Sequence, residues 1–172
     1  MRERDHDFPQ IAAPEAVDTL RSWHCRYGNL GALRRLRNLR GLEIASYPDP
    51  TLDAIGELRM LRYLFLLHLP KVTSLGPLSR LTSLVTLRLH TLPSWDASRK
   101  RTVVESLEPV AHLKNLQHIE LFGVSPADGS LRPLEDCKSL KTARFHLIPK
   151  VEVKRFYEVT GLSDAHSPAP DF

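Results

Sequence analysis

Histidine, cysteine and carboxylate side chains are where this chain of 172 residues would keep an active site, and they are thinly spread. His24 with Glu43, and His118 with Glu120, have the residue types of a general acid and a general base. The only thiols are Cys25 and Cys137. No G-x-S-x-G, Gly-rich phosphate loop, H-E-x-x-H or C-x-x-C occurs, so no motif sets a nucleophile beside a base and an orienting third group. The side chains that remain belong to recognition chemistry. Tyr63, Phe65, Leu67 and Phe122 are apolar anchors, and Arg88, Glu120 and Arg144 are charges that set specificity. What those residues can do depends on the elements that hold them.

Bulk composition bounds the possibilities. Hydrophobic residues make up 42% and charged residues 26%, which fits a packed, soluble chain with one core. Lys plus Arg number 24 against 20 for Asp plus Glu, a net charge of +4, too mild an excess to imply nucleic acid by itself. The longest apolar run, near Tyr63 to Leu67, falls far short of the ~20 residues of a membrane span. MRERDHDFPQ has no apolar stretch behind its charges, so no signal peptide and a cytoplasmic location are expected.

The leucines are periodic. Leu30, Leu33, Leu36, Leu39, Leu42 and Ile44 set a spacing that returns from Leu52, Leu75, Leu107 and, more weakly, Leu131. Successive starts are 22, 23, 32 and 24 residues apart. Within each repeat L-x-x-L-x-L alternates with period two, predicting a strand with its apolar side chains inward. The segment before it has apolar residues every third position, which suits a 3-10 turn or a short helix. Pro77, Pro109 and Pro133 lie early in three such segments, where a missing N–H costs little. Identical turns stacked in one direction make the strands parallel.

This pattern, clearest in PLSRLTSLVTLRL over residues 77–89, resembles the leucine-rich repeat family and its internalin-like short-repeat subclass. The resemblance implies an α/β solenoid, with one parallel sheet on the concave face and short 3-10 or α segments on the convex face. The expected organisation is a capping and degenerate first repeat at 1–29, five repeats at 30–148, a capping helix at 149–162 and a flexible tail at 163–172. Ile11, Pro14, Val17, Leu20, Trp23 and Cys25 carry the degenerate repeat; Val153, Phe156, Val159 and Leu162 carry the cap, which closes the otherwise open end of the core. One departure is plain. Where the family places a buried Asn or Cys, this chain has Gly28, Tyr47, Leu69, Leu92, Val124 and Ile148, four of them followed by Pro.

If those inward positions hold, the outward ones form three columns across six strands. The first is Ser22, Gly41, Tyr63, Thr86, His118, Thr142. The second is His24, Glu43, Phe65, Arg88, Glu120, Arg144. The third is Arg26, Ala45, Leu67, His90, Phe122, His146. Cys25 and Cys137 point inward about 20 Å or more apart on strand spacing, beyond the ~7 Å reach of a disulfide. The histidines fall on different strands and columns without the convergence a metal needs, so neither metal nor cofactor is expected; a pH-sensitive interface is the milder option for groups that titrate near 6.5. The long step leaves an insertion at 90–106, able to overhang the sheet with Trp95 and Arg99-Lys100-Arg101, or to pack Trp95 on its rim.

A flat sheet has no pocket to exclude water, so an enzyme is not expected. The reading is a non-catalytic module that holds a partner protein on its concave sheet through Tyr63, Phe65, Leu67, Arg88, His90, His118, Glu120, Phe122, Arg144, His146 and Trp95. It would act as an inhibitor or adaptor; likeness to small bacterial repeat proteins adds a toxin-neutralising immunity protein. The competing readings are a face satisfied by its own charges, and a binder of nucleic acid or acidic ligands through residues 99–101 and the sheet-edge cations Arg21, Arg40, Arg62 and Lys141.

Overall fold

A computed structural model describes residues 7–23 and 27–170. Six strands, β1 (Thr19–Ser22), β2 (Gly41–Ala45), β3 (Tyr63–Leu67), β4 (Thr86–His90), β6 (His118–Phe122) and β8 (Thr142–His146), form one parallel sheet in the order β1-β2-β3-β4-β6-β8. The return segments are 3-10 turns at Gly31–Arg35, Gly76–Arg80 and Arg132–Asp136, and short helices α1 (Asp53–Gly56) and α3 (Glu108–Ala111). Their every-third-residue apolar side chains point into one core: Leu33, Ile55, Leu78, Val110 and Leu134 are buried beneath Leu42, Leu64, Leu87 and Ile119. The prolines at 77, 109 and 133 stand in the first turns of their segments, where no helical N–H is lost.

From β2 onward the register is the expected one: Tyr63 pairs with Thr86, Phe65 with Arg88 and Leu67 with His90, and the columns continue through β6 and β8. The first strand departs from it. Leu20 pairs with Leu42 and Ser22 with Ile44, three residues away from the expected alignment of Trp23 and Cys25 with those positions. The cause is local. The 3-10 turn Pro14–Ala16 runs into β1 with one triplet fewer between turn and strand than in later repeats. Ser22 therefore faces inward and is buried, while Thr19 and Arg21 head the first two columns. His24, Cys25 and Arg26 lie outside the described residues.

Without the polar amides of the family, main-chain bonds tie adjacent turns. The residue after β2, β3, β6 and β8 takes a left-handed conformation: Ser46, His68, Gly123 and Leu147 have φ of 63°, 64°, 70° and 63°. That twist drives the following side chain inward, and Tyr47, Leu69, Val124 and Ile148 are buried. It also aims backbone donors at the next turn, as in Ser46 N–H to the Leu67 carbonyl at 2.7 Å and Tyr47 N–H to the His68 carbonyl at 2.8 Å. A left-handed residue with a Cβ costs roughly 1–2 kcal/mol, offset here by burying hydrocarbon.

The insertion is a built element. It forms α2 (Pro93–Ala97) and β5 (Thr102–Val104), and β5 pairs in parallel with β7 (Val124–Pro126) as a second, two-stranded sheet. Val104 is fully buried, which ties the segment to the core at the strand ends. Trp95 is half-buried, with its ring 4.7 Å from that of His68, the rim arrangement.

The far end is closed by α4 (Lys150–Thr160). Phe156 is buried against Phe145, and the Tyr157 hydroxyl donates to the Ala143 carbonyl at 2.7 Å. Arg155 bridges Glu152 and Glu135 at 2.7 and 2.6 Å, fastening the helix to the last 3-10 turn. Val159, expected in the apolar stripe, is 60% exposed; a helix of this length needs only Val153, Phe156 and Tyr157 to cover the core end. Residues 163–170, expected to be a flexible tail, return to the sheet and lie across its concave face.

Candidate binding face

The concave face combines the second and third columns into a lattice of rings and guanidinium groups. Trp23 stands 6.2 Å from Phe65, Phe65 4.9 Å from His90, His90 4.6 Å from Phe122 in a stacked pair, and Phe122 6.3 Å from His146. Arg21 lies over Trp23, Arg88 over Phe65 and Arg144 over Phe122, at 4.7, 4.7 and 5.0 Å. The parallel register makes this possible, since equivalent residues of neighbouring strands repeat at about 4.8 Å, the spacing of a cation over a ring. Trp23 was expected inward; the three-residue shift in β1 turns it onto the face.

Charge on this face is organised around Glu120. Its side chain is 2% exposed. Oε2 accepts from Arg88 Nε at 2.8 Å and from His90 Nε2 at 3.2 Å, while Oε1 accepts from the Ser167 amide and hydroxyl at 3.3 and 3.1 Å. Arg144 stands 4.0 Å from Oε1. Burial pushes the Glu120 carboxyl up, but the His90 hydrogen bond, the Arg88 charge and the Ser167 N–H outweigh it and hold the group far below the ordinary carboxylate range. Arg88 Nη1 also donates to the Tyr63 hydroxyl at 3.2 Å.

The expected anchors do not share one exposure. Phe65, Leu67, His90 and Phe122 are half-buried and open to the face, and His146 is exposed. Tyr63 is 3% exposed and His118 8%, so neither is the open anchor expected. With Thr86 they sit around a cavity of about 150 Å³ whose other wall is Pro168, Ala169 and Pro170. Burial, with Lys141 nearby, pushes the His118 imidazole below its usual value, and its Nδ1 lies 2.8 Å from Thr142 Oγ1. The charges of the second column pair with one another and with the tail, the self-satisfied arrangement, while the rings of the third column stay partly open.

Residues absent from the sequence reading complete the site. Asp164 Oδ1 accepts from Arg144 Nε at 3.0 Å, and a second Arg144 nitrogen donates to His166 Nδ1 at 2.7 Å. The one signal for them was charge: Asp164 is an acidic residue available to a column with two arginines. A groove of about 820 Å³ between residues 97–99 and α4, floored by Phe145, Ile148, Val153 and Tyr157 with Arg99, Lys150 and Lys154 at its rim, was also unforeseen. Among the described residues, no group of three or more His, Cys, Asp or Glu side chains converges as metal ligands would, and no helix is long and apolar enough to cross a membrane. Cys137 is a buried thiol that donates to the Val110 carbonyl at 3.6 Å; burial pushes it up to about 11.

Stacked turns, a parallel sheet and a short helical return in each repeat define the leucine-rich repeat fold, and a solved internalin shares it. Internalin C2 of Listeria monocytogenes superposes with a TM-score of 0.55 at 20% identity, over 78% of this chain and 63% of that one. A leucine-rich repeat protein of Leptospira interrogans gives 0.42 at 16% identity over 88% and 49%, and an internalin F of the same Listeria species gives 0.26 at 14% over 79% and 63%. This chain thus spans less than two thirds of the length of internalin C2. No protein-family model and no curated protein matches the sequence.

Proposed function

We propose that this chain is a non-catalytic recognition module that holds a partner protein on its concave face and acts as an inhibitor or adaptor by occupying that partner. The observation that supports the reading is the lattice of Phe65, His90 and Phe122 capped by Arg88 and Arg144. Rings lose little conformational entropy when covered, and aromatic and Arg side chains are the usual anchors of protein interfaces. A curved sheet of stacked repeats also offers more continuous area to a partner than a convex return face does. Of the four cations expected at the sheet edge, Arg21 lies on the face and pairs with Glu43 at 3.0 Å, and Arg40 pairs with Asp18 at 3.9 Å, which favours protein over nucleic acid.

The test is site-specific photo-crosslinking in cells of the source organism, with the reactive side chain at Leu67 on the face or at Arg34 on the convex side. The expected result is a discrete adduct from position 67 and none from position 34, lost in a Phe122→Ala background that keeps its thermal midpoint. An adduct from position 34 alone would overturn the reading. So would an interaction that vanishes with salt and with neutralisation of Arg99, Lys100 and Arg101, the behaviour of a phosphate-backbone contact.

A further inference from the structure

After α4 the chain turns through Gly161 at φ 68° and Ser163 bridges in parallel to Thr142 on the outer strand β8. It does not go on to add a seventh strand. Residues 164–170 instead cross the strands and touch them in turn. Asp164 and His166 meet Arg144 on β8, Ser167 meets Glu120 on β6, and Pro168 to Pro170 close the cavity against His118, Thr86 and Tyr63 on β6, β4 and β3. An extended chain advances about 3.3 Å per residue, so seven residues readily span the three strand spacings between β8 and β3. Each contact is made by a side chain that faces solvent in the repeat register, and the two most polar ones are complementary: a cation receives a carboxylate, and a carboxylate receives a hydroxyl and an amide.

The Glu120 carboxylate is the point on the sheet where residues 163–170 are held by hydrogen bonds to a buried charge. Oε2 is saturated by Arg88 and His90 from a neighbouring strand. Among the described residues, Oε1 has hydrogen bonds from Ser167 alone, the Arg144 nitrogen being 4.0 Å away. Covered by the segment, Oε1 takes its donors from Ser167, so the segment that shields the oxygen also satisfies it.

We infer that the concave face is a groove for an extended peptide carrying an acidic side chain and, three residues later, a serine followed by proline, and that residues 163–170 occupy it in cis as a displaceable strap. This rests on the reading of the concave face as the binding surface. It names the chemistry of the partner: a segment of the form Asp-x-x-Ser-Pro, which takes Arg144 and Glu120 when the strap leaves. Tethering gives the strap a millimolar-range effective concentration, so a partner must outcompete it.

The experiment titrates a fluorescent, end-capped peptide of residues 163–170 into the full chain and into a full chain carrying Asp164→Ala and Ser167→Ala, followed by polarisation. The peptide is expected to bind the substituted chain at least about tenfold more tightly than the unaltered one, as removal of a cis competitor requires. Adding Arg144→Ala should abolish that binding while the thermal midpoint stays within a few degrees. Equal affinity for both chains, or none for the substituted chain, would overturn the strap. So would an unaltered chain that sediments as a dimer with exchanged tails. The photo-crosslink from position 67 separates the two readings: if it persists while the peptide fails, the face binds by other chemistry; if both fail, the face itself is not the site.

Discussion

Two faces of the same five-residue strands follow different rules. On β3, Leu64 and Leu66 point into the core, and both are wholly buried. Tyr63, Phe65 and Leu67 point the other way into a network of rings, cations and tail residues. The inward face has one chemistry repeated in each turn, so any one turn resembles the next. The outward face is different on every strand, and its order comes from pairs that span strands: Arg21 with Glu43, Arg88 with Glu120, His90 with Phe122. Repetition builds the scaffold and variation builds the candidate face. The two are separable because neighbouring residues on a strand never share a face.

That separation can be broken most sharply at adjacent positions. Leu87→Ala, on the wholly buried side of β4, should cost about 3 kcal/mol in chemical denaturation, the transfer and cavity cost of a core leucine. Its neighbour Arg88 offers the contrast: it is part-exposed but paired with Glu120, and Arg88→Ala should cost less than the leucine, about 2 kcal/mol, while disturbing the peptide titration. A result in which both cost the same would mean that the face is as structural as the core.

The exception on the outward face is Glu120, and there the comparison should blur. Glu120→Ala leaves Arg88 and Arg144 without their shared carboxylate, and a loss of about 2 kcal/mol is expected, below the 3–5 kcal/mol of a fully buried pair because both arginines are part-exposed. The same group makes stability depend on pH. Its carboxyl lies below the ordinary range when folded, and Glu152, held by the Arg155 hydrogen bond, is lowered to about 2. The unfolded chain therefore takes up protons that the folded chain refuses, and stability rises with pH through that window. Both contributions are complete above about pH 5 and are lost as pH falls toward 2 and below. Denaturation midpoints measured from pH 6 to pH 2 should fall less steeply for Glu120→Gln than for the unaltered chain; parallel slopes would show that the carboxylate is not held low.

The smallest effect belongs to the hinge between the two faces. Ser46 is exposed and left-handed, so Ser46→Gly should relieve strain, with a net gain of under about 1 kcal/mol after the added freedom of the unfolded chain is counted. His68→Gly removes the same strain but also the ring beside Trp95, and should not gain. Thermal midpoints of the two variants measure how much of each turn is backbone and how much is packing.

The fold was legible because its evidence is periodic. From Leu30 to Phe145 the triplet and doublet spacings give both the inward set and the strand register. That logic failed in the first repeat, where a turn shortened by one triplet leaves the apolar spacing intact and moves the strand by three residues, turning Trp23 onto the face and Ser22 into the core. Spacing alone cannot separate the two alignments, because Leu20 satisfies both. The site was legible only as membership of columns. Phe65, Arg88, Glu120 and Phe122 share a face as their register requires, whereas the cover over Tyr63 and His118 comes from Pro168, Ala169 and Pro170, several repeats further along the chain.

Local periodicity by itself determined the repeating strand, the parallel stacking and the side chains hidden between turns, since each follows from interactions within one repeat and its neighbour. Only the tertiary structure decided how open the concave face is, where the insertion sits and that residues 163–170 lie on Arg144 and Glu120. Those outcomes depend on contacts between segments far apart in the chain, set by charge and shape, and no spacing of residues along a chain encodes them.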